Sequence, residues 1–297
     1  MSQSKEETDM ENDLKSGSNL EKTLRAGHFA FTGELGPPRG TSADEVRKKA
    51  AYLKGMVDSV NITDNQTAVV RMASWAACII LIQEGLEPNF QMVCRDRNRL
   101  ALQADILGAY AHGIRNMLCL SGDHQKFGDH PDARGVFDLD SMQLISLVKK
   151  MRDEGQFLSG GELQEPPKMF IGAAANPFAE PYEWRVHRLA KKINAGADFI
   201  QTQCIYNMNR FKDFMKKAVD MGLHEKCHIL AGVTPMKSVG MARYMATQVP
   251  GMDVPESLIK RLRGAGKGKA GEEGIRFALE QIEEFKEMEG VAGVHLM

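Results

Sequence analysis

Short apolar runs alternate with longer amphipathic stretches along this chain, beginning at residues 29–35, Phe-Ala-Phe-Thr-Gly-Glu-Leu. This first run predicts a buried strand. Gly36 and the two prolines after it end the strand, because proline cannot continue a hydrogen-bonded ladder. The strand therefore delivers one carboxylate, Glu34, to its carboxyl end. On this segment alone, an ordinary strand-end glutamate in solvent is the alternative interpretation.

The same pattern recurs through the rest of the chain. Strands are predicted near residues 30, 60, 92, 117, 172, 201, 230 and 294. Helices are predicted at 42–54, 68–84, 99–111, 139–153, 182–194, 208–221, 238–247, 255–263 and 270–288. Strict alternation of strands and helices predicts an α/β protein with a single (β/α)8 TIM barrel over residues 18–297. No G-x-G-x-x-G turn follows the first strand, which argues against an open doubly wound sheet.

Both ends of the chain depart from a regular barrel. Residues 1–17 lack apolar periodicity and are predicted to form a disordered or mobile tail. Ser18 or Asn19 can cap a short helix that Gly27 ends. The last predicted strand reaches the end of the chain, so the final helix of a complete barrel is missing. Either the N-terminal helix or a partner covers that face, or the sequence has been shortened.

Composition narrows the class of protein. The chain has 38 basic and 39 acidic residues, a balance that favours neither nucleic acid nor an anionic membrane as a partner. No signal peptide and no membrane-spanning run is found, which predicts a cytoplasmic location. The cysteines are scattered without metal-ligand spacing and are predicted to be reduced core thiols. They are Cys78, Cys94, Cys119, Cys204 and Cys227.

The carboxyl ends of barrel strands meet at one mouth, however far apart they are in sequence. The polar residues predicted there are Glu34, Asn61, Thr63, Gln91, Ser121, Asp123, Asn176 and Gln203. Two carboxylates among amides and hydroxyls suit proton donation and recognition of a polar heterocycle. Metal-assisted hydrolysis would favour histidines at these positions, so no metal is predicted.

Two further segments have both a functional and an ordinary interpretation. The long polar loop 124–138 is a candidate binding loop because loops of this length are uncommon in compact domains. Its His and Asp side chains could hold a metal, although a solvated loop has the same composition; they are His124, His130, Asp129 and Asp132, with Asp123 before them. Lys191 and Lys192 either form a solvated helix face or meet a phosphate at the rim.

Six short motifs occur in an order known from one family. They are Gly33–Arg39 (GELGPPR), Asn61–Asn65 (NITDN), Leu120–Asp123 (LSGD), Gly172–Pro177 (GAAANP), Ala195–Gln203 (AGADFIQTQ) and Gly232–Pro235 (GVTP). From about residue 29 to the C-terminus the chain resembles methylenetetrahydrofolate reductases, and among them the reductase subunits of acetogen-type bacteria.

The resemblance implies flavin-dependent reduction of 5,10-methylenetetrahydrofolate to 5-methyltetrahydrofolate, or the reverse, by hydride transfer from reduced flavin. Glu34 falls at the general acid that protonates N10 of the folate. Asp123 falls at the aspartate near the flavin and the pterin, and Gln203 at the glutamine that binds the pterin. The positions implied to bind the cofactor are Asn61, Gln91, Leu120, Ser121, Asp123, Ala174 and Lys192, with Lys192 near its phosphates.

Several positions differ from well-studied members. His is common where Gln91 stands, Arg where Ser121 stands, and Asp and Asn where Arg185 and Arg188 stand. FAD is the expected cofactor and FMN stays open. An aromatic residue that stacks on folate or nicotinamide in some members falls at Met245, beside Tyr244.

The resemblance also implies partners. Methylenetetrahydrofolate is the expected substrate, and NAD(P)H or another redox protein is the expected electron donor. A zinc-binding partner subunit is expected, in a homo- or hetero-oligomer. Two alternatives remain. One is a flavin-free pterin-binding barrel that transfers a methyl group to a corrinoid or thiol, and the other is a non-catalytic barrel subunit that docks a redox partner.

Overall fold

Eight parallel strands, hydrogen-bonded in chain order, close into a barrel in the computed structural model, which describes residues 14–297. The strands are Ala30–Leu35 (β1), Ser59–Ile62 (β2), Pro88–Val93 (β3), Asn116–Leu120 (β4), Phe170–Ala175 (β5), Phe199–Cys204 (β6), His228–Val233 (β7) and Val291–Leu296 (β8). The predicted (β/α)8 fold is therefore confirmed.

Helices connect the strands. They are Asn19–Arg25 (α1), Ala43–Leu53 (α2), Ser74–Gln83 (α3), Arg99–Ala111 (α4), Ser141–Lys149 (α5), Arg185–Ala195 (α6), Met208–Asp220 (α7), Val239–Gln248 (α8), Glu256–Gly264 (α9) and Ala270–Lys286 (α10). A π-type turn, Lys150–Glu154, continues α5, and a 3-10 turn, Tyr182–Trp184, precedes α6.

The helix predicted at 68–84 is wrong at its start, because α3 begins only at Ser74. Asn65, Thr67 and Ala68 have φ angles of 42°, 58° and 57°. A left-handed backbone cannot continue a right-handed helix, so the chain turns before α3 begins. Apolar periodicity alone did not show this turn.

The chain divides into two compact units. Unit 1 comprises the residues up to Ala173 together with Ala195–Ala197, and unit 2 comprises Ala174–Asn194 and Asp198–Met297.

In unit 1, alternate residues of each strand point to opposite faces. A Cβ atom on Gly33 would lie 3.2 Å from Leu53 of α2, so the neighbouring Thr32 and Glu34 point away from the helices, into the barrel. The inward positions of β1 to β4 carry an unusual number of buried polar side chains. They are Thr32, Ser59, Asn61, Asn89, Gln91 and Asn116. Hydrogen bonds between these strands hold this polar interior.

The amino end of α1 lies against the strands of unit 1. The backbone N–H groups of Asn19 and Leu20 donate to the carboxylate of Glu87, at 2.5 and 2.9 Å. Asn116 Nδ2 donates to the same carboxylate at 2.8 Å. A carboxylate at a helix N-terminus is favoured by the helix dipole and by the unpaired N–H groups there. Glu87 thereby joins α1 to β4.

Residues before α1 are fixed by one buried acid. Glu21 accepts hydrogen bonds from the backbone N–H groups of Lys15, Ser16 and Gly17 at 2.7, 2.7 and 3.0 Å. Ser18 caps α1, as predicted, by accepting from the N–H of Glu21. Residues 1–13 of the predicted tail lie outside the described residues.

In unit 2, α8, α9 and α10 pack over the ends of β6 and β7. Their apolar cluster includes Tyr206, Met236 and Leu262, with Met245 and Phe277 partly buried against it. Arg261 joins α9 to α10 through ion pairs with Glu273 and Glu280, both at 2.6 Å.

The five cysteines are buried and free, which confirms the prediction of core thiols. Among the described residues, no helix is both long and apolar enough to cross a membrane.

Candidate functional site

Glu34 lies near the carboxyl end of β1 and is half-buried. It stands in register with Asn61 of β2. Gln91 Nε2 on β3 donates to Glu34 Oε2 at 3.5 Å, the long limit for a hydrogen bond. Gln91 itself is only 6% exposed, so the rest of its side chain is fixed by packing. Three neighbouring strands thus place a carboxyl group and an amide together.

Asn61 is fully buried rather than open at the strand end. Its Oδ1 accepts a hydrogen bond of 2.8 Å from Asn89 Nδ2. The hydroxyl oxygen of Thr63, also buried, has no hydrogen-bond partner among the described residues. Gln91 on β3 contacts Glu34 through its side chain.

The turn after β4 presents Asp123 to solvent. Gly122 has a φ of 89°, and a Cβ atom there would lie 3.0 Å from Val93 Cβ, so the turn requires glycine. Ser121 Oγ accepts from the N–H of Ser141 at 3.1 Å, which joins the turn to the start of α5. Ser121 therefore has a structural contact at a position implied to bind cofactor, and Leu120 beside it is half-buried.

Arg95 holds this turn in place, a role that the sequence alone did not indicate. Its side chain is 3% exposed, and Nη1 donates to the carbonyl of Asp123 at 3.1 Å. Nη2 donates to the carbonyl of Asn65 at 3.2 Å, and Nε pairs with Asp96 at 2.7 Å. One guanidinium thus connects the loops after β2 and β4. The sequence could have indicated this role only through the position of an arginine shortly after a predicted buried strand.

The long loop 124–138 holds part of the rim through ion pairs. Asp129 pairs with Arg39 at 2.5 Å, accepts from the N–H of Val70, and lies 3.0 Å from His130 Nδ1. Within residues 14–297, no group of three or more His, Cys, Asp or Glu is placed to hold a metal ion. The carboxylate of Asp129 instead ties this loop to the segments that follow β1 and β2.

Unit 2 contains a pocket of about 180 Å³ at the carboxyl end of β5. Its lining residues are Ala174, Ala175, Asn176, Arg185, Arg188, Leu189, Lys192 and Gln203. Lys192 is 9% exposed and its Nζ donates to the carbonyl of Ala174 at 2.5 Å. Lys191, which was considered with it, is exposed and does not line the pocket. The structure therefore brings Ala174, Lys192 and Gln203 together and separates the two lysines.

A β-bulge orients Gln203. Gln201 pairs with Leu230 and Cys204 with Gly232, so three steps on β6 face two on β7. Thr202 Oγ1 accepts from the N–H of Gly232 at 2.9 Å and donates to the carbonyl of Gln203 at 2.9 Å. Bulges redirect side chains in this way near binding sites. Gln203 is exposed to the pocket while its neighbours are buried.

Arg185 and Arg188 are also pocket residues, which sequence reasoning had noted only as departures. They lie three residues apart on α6, with Lys192 four further on, a spacing that places all three on one helix face. That spacing was readable in the sequence. Without the pocket it could not be told from a solvated basic face.

Fold and side chains together define a (β/α)8 barrel with a carboxyl group at one strand end and a cationic pocket beside another. The family model for methylenetetrahydrofolate reductase matches residues 19–297, and the chain belongs to that family.

Individual relatives agree at low identity. Methylenetetrahydrofolate reductase 2 of Schizosaccharomyces pombe is 27% identical over 178 residues, 59% of this chain and 27% of that protein. The 5,10-methylenetetrahydrofolate reductase of Pectobacterium carotovorum is 25% identical over 249 residues, which are 76% of this chain and 75% of that protein. The chain thus spans about a quarter of the fission yeast protein's length.

A solved structure confirms the fold. An uncharacterized protein from Clostridium thermocellum that binds two copies of 5-methyl-5,6,7,8-tetrahydrofolic acid matches with a TM-score of 0.63. The match covers 94% of this chain and 92% of that one, at 14% identity.

Proposed function

We propose that this chain is a flavin-dependent oxidoreductase that reduces 5,10-methylenetetrahydrofolate to 5-methyltetrahydrofolate, or runs the reverse reaction. The family match supports the reaction class. The observation that carries the proposal is Glu34, a half-buried carboxyl group near the carboxyl end of β1 with the Gln91 amide against it. The electron donor, a zinc-binding partner subunit and other redox partners stay predictions from the resemblance.

Glu34 is proposed as the proton donor to N10 of the folate. A proton delivered there weakens the N10–methylene bond, so that the five-membered ring opens and the methylene carbon becomes electrophilic. The Gln91 amide, 3.5 Å from the carboxyl group, is one group that can orient it, as general acid catalysis requires.

Asp123 and Gln203 are proposed to hold the pterin. A carboxylate can accept hydrogen bonds from an amino group, and a primary amide both donates and accepts, which matches the edge of a pterin ring. Arg95 holds the backbone of Asp123, and the bulge holds that of Gln203. Both ligands thus stand on fixed backbone, which favours precise orientation of the substrate.

The residues present fit a flavin. Arg185, Arg188 and Lys192 give the pocket three positive charges, as a phosphate-bearing cofactor requires. A reduced flavin would supply the hydride, and Asn61, Gln91, Leu120 and Ser121 stay predicted flavin contacts from the resemblance.

The test begins with the purified protein and its absorption spectrum. We expect a flavin spectrum that bleaches on chemical reduction and returns when methylenetetrahydrofolate is added. A protein that takes up neither FAD nor FMN would exclude this function. A flavoprotein that folate does not reoxidise would favour another flavin reaction or a docking subunit.

Replacement of Glu34 by Gln tests the acid. We expect Glu34→Gln to bind flavin and folate and to lose roughly 10²- to 10⁴-fold in folate reduction, the usual contribution of a general acid. Glu84→Gln, which removes a partly exposed carboxylate paired with Arg47 at the end of α3, is the matched control and should turn over normally. Normal turnover of Glu34→Gln would remove Glu34 from the mechanism.

A further inference from the structure

The helix α10 carries an exposed apolar stripe. Its Ile275 and Leu279 are 54% and 58% exposed, and Ile282, which follows them on the same side, is half-buried. Within residues 14–297, no other helix exposes more than one large apolar side chain. Apolar side chains that lie together in solvent indicate a contact surface, whereas single ones need no explanation.

The rest of α10 is packed within unit 2. Phe285 packs against Phe211 of α7, with ring centroids 5.5 Å apart. On the neighbouring flank, Arg261 of α9 pairs with Glu273 and Glu280, both at 2.6 Å. At 3.6 residues per turn, the apolar stripe lies on the opposite flank of the helix. The two exposed side chains of the stripe therefore stay in solvent.

The stripe continues into a charged residue at each end. The side chains on this flank follow one another at alternating steps of three and four residues, which is the spacing of a seam between two helices. They are Glu272, Ile275, Leu279, Ile282 and Lys286. Glu272 stands seven residues before Leu279, and Lys286 stands seven residues after it. The seam is thus acidic at its start, apolar in its middle and basic at its end.

This order of charges is complementary to its own reverse. If two copies pack their α10 helices antiparallel about a twofold axis at Leu279, Glu272 of one copy lies level with Lys286 of the other, and symmetry repeats the pair. Arg276 and Glu283, three residues before and four after Leu279, become level with each other in the same way. A parallel pair would instead place like charges opposite each other, which is unfavourable.

The ion pairs that these residues already make are weak. Lys286 pairs with Glu283, and Arg276 with Glu273, both at 2.8 Å along the surface of the helix. Glu283 and Arg276 are 72% and 66% exposed, so either pair can be exchanged for one with a second copy. Glu272 is exposed and has no ion pair with any described residue.

We propose that the apolar stripe of α10 is the contact surface of a homodimer, in which the α10 helices of two copies pack antiparallel about a twofold axis. One pair of helices is a small interface beside the roughly 1,200–2,000 Å² of stable complexes, so the dimer should form in the micromolar range. The surface is separate from the residues assigned to folate reduction, and the inference does not rest on the proposed function.

The first test measures the mass of the full chain by analytical ultracentrifugation between about 1 and 100 µM. The wild-type protein should associate as its concentration rises. Leu279→Glu should stay at half the wild-type mass at about 100 µM, because a carboxylate buried without a partner opposes association. Leu100→Glu, which changes a leucine of α4 that is 75% exposed, is the matched control and should associate normally. A wild-type protein that stays a single chain, or a Leu279→Glu variant with the wild-type mass, would overturn the inference.

The second test exchanges the charges and leaves the apolar stripe unchanged. Glu272→Lys and Lys286→Glu should each weaken dimerisation by about threefold to tenfold, because each puts like charges opposite each other twice in the dimer. The double variant restores opposite charges and should dimerise within about twofold of wild type. Lys260→Glu, an exposed change on α9 outside the seam, is the control.

Single variants that dimerise like wild type, or a double variant as weak as the single ones, would overturn the antiparallel arrangement. Folate reduction is scored separately on the same preparations. Its failure would refute the proposed function without bearing on the dimer.

Discussion

Gly232→Ala should displace Gln203 and weaken folate use while leaving the fold intact. A Cβ atom at Gly232 would lie 2.4 Å from the carbonyl oxygen of Thr202 and 2.7 Å from that of Gln203. Both are backbone atoms of the β6 bulge and cannot rotate away. The two strands must therefore separate, and the bulge that directs Gln203 must move with them.

The size of the effect follows from these contacts. Ordinary carbon–oxygen contacts begin at about 3.3 Å, so the bulge must shift by about 1 Å. Overpacking of this kind costs about 1–3 kcal/mol of the free energy of unfolding. A displacement of about 1 Å in a substrate-positioning group can cost about 10²-fold in rate. We expect kcat/KM for methylenetetrahydrofolate to fall by about that factor.

Urea unfolding and steady-state kinetics on the same preparations measure both effects. Gly108→Ala in α4 is the control for a glycine-to-alanine change, because among the described residues no atom outside its chain neighbours and its own helix backbone lies within 4 Å of the added Cβ. A helix-interior alanine should raise the free energy of unfolding by about 0.5–1 kcal/mol without any kinetic change. Wild-type stability and kinetics in Gly232→Ala would refute the assigned role of the bulge.

Three further results are expected. Arg97→Met should lower the free energy of unfolding by about 3–5 kcal/mol in urea titrations, because it removes the guanidinium that pairs with the buried Asp64 carboxylate at 2.7 Å. A loss under about 1 kcal/mol would contradict this. Although burial opposes the shift, hydrogen bonds from the N–H groups of Lys15, Ser16 and Gly17 and from the Ser16 hydroxyl lower the pKa of Glu21. The stabilisation that the Glu21 carboxylate gives is therefore present above pH 4.5 and is lost as pH falls through the lowered pKa. Glu21→Gln should abolish this pH dependence of the free energy of unfolding, and a variant with the wild-type pH profile would contradict the assignment. Burial raises the pKa of Cys94 to about 12, so Cys94 in the native protein should resist iodoacetamide at pH 8, whereas Cys94 in urea-unfolded protein should react. Mass spectrometry measures the labelling, and rapid labelling of Cys94 in the native protein would contradict its burial.

Strand and helix order was predictable because each element has its own apolar run and its own end signal. Gly27, Gly55, Gly85 and Gly113 all have positive φ and end helices or the turns after them. The start of α3 was not predictable, since the left-handed turn at Asn65–Ala68 is contacted by a distant side chain, with Arg95 donating to the carbonyl of Asn65. That contact joins residues thirty positions apart and leaves no local pattern.

In the candidate site, too, some residues could be predicted from the sequence, whereas their contacts could not. Glu34, Asp123 and Gln203 were readable as strand-end residues, and Lys192 through the resemblance. The pairing of Gln91 with Glu34 needs the β1–β2–β3 register, and the exposure of Gln203 needs the bulge. Arg95 was overlooked because a charged residue after a strand usually faces solvent, and only the fold shows that this one is buried.

Glu87 sets a limit on how the chain can be trimmed for crystallisation or fusion. Its half-buried carboxylate accepts hydrogen bonds from two backbone N–H groups of α1 and from the side chain of Asn116. Removing α1 would take away two of these three hydrogen bonds, and a hydrogen bond to a charged group contributes about 1.5–3 kcal/mol. The first helix thus supplies hydrogen bonds that stabilise the Glu87 carboxylate. Shortened versions should begin no later than Leu14, so that the N–H groups of Lys15, Ser16 and Gly17 keep their hydrogen bonds to Glu21.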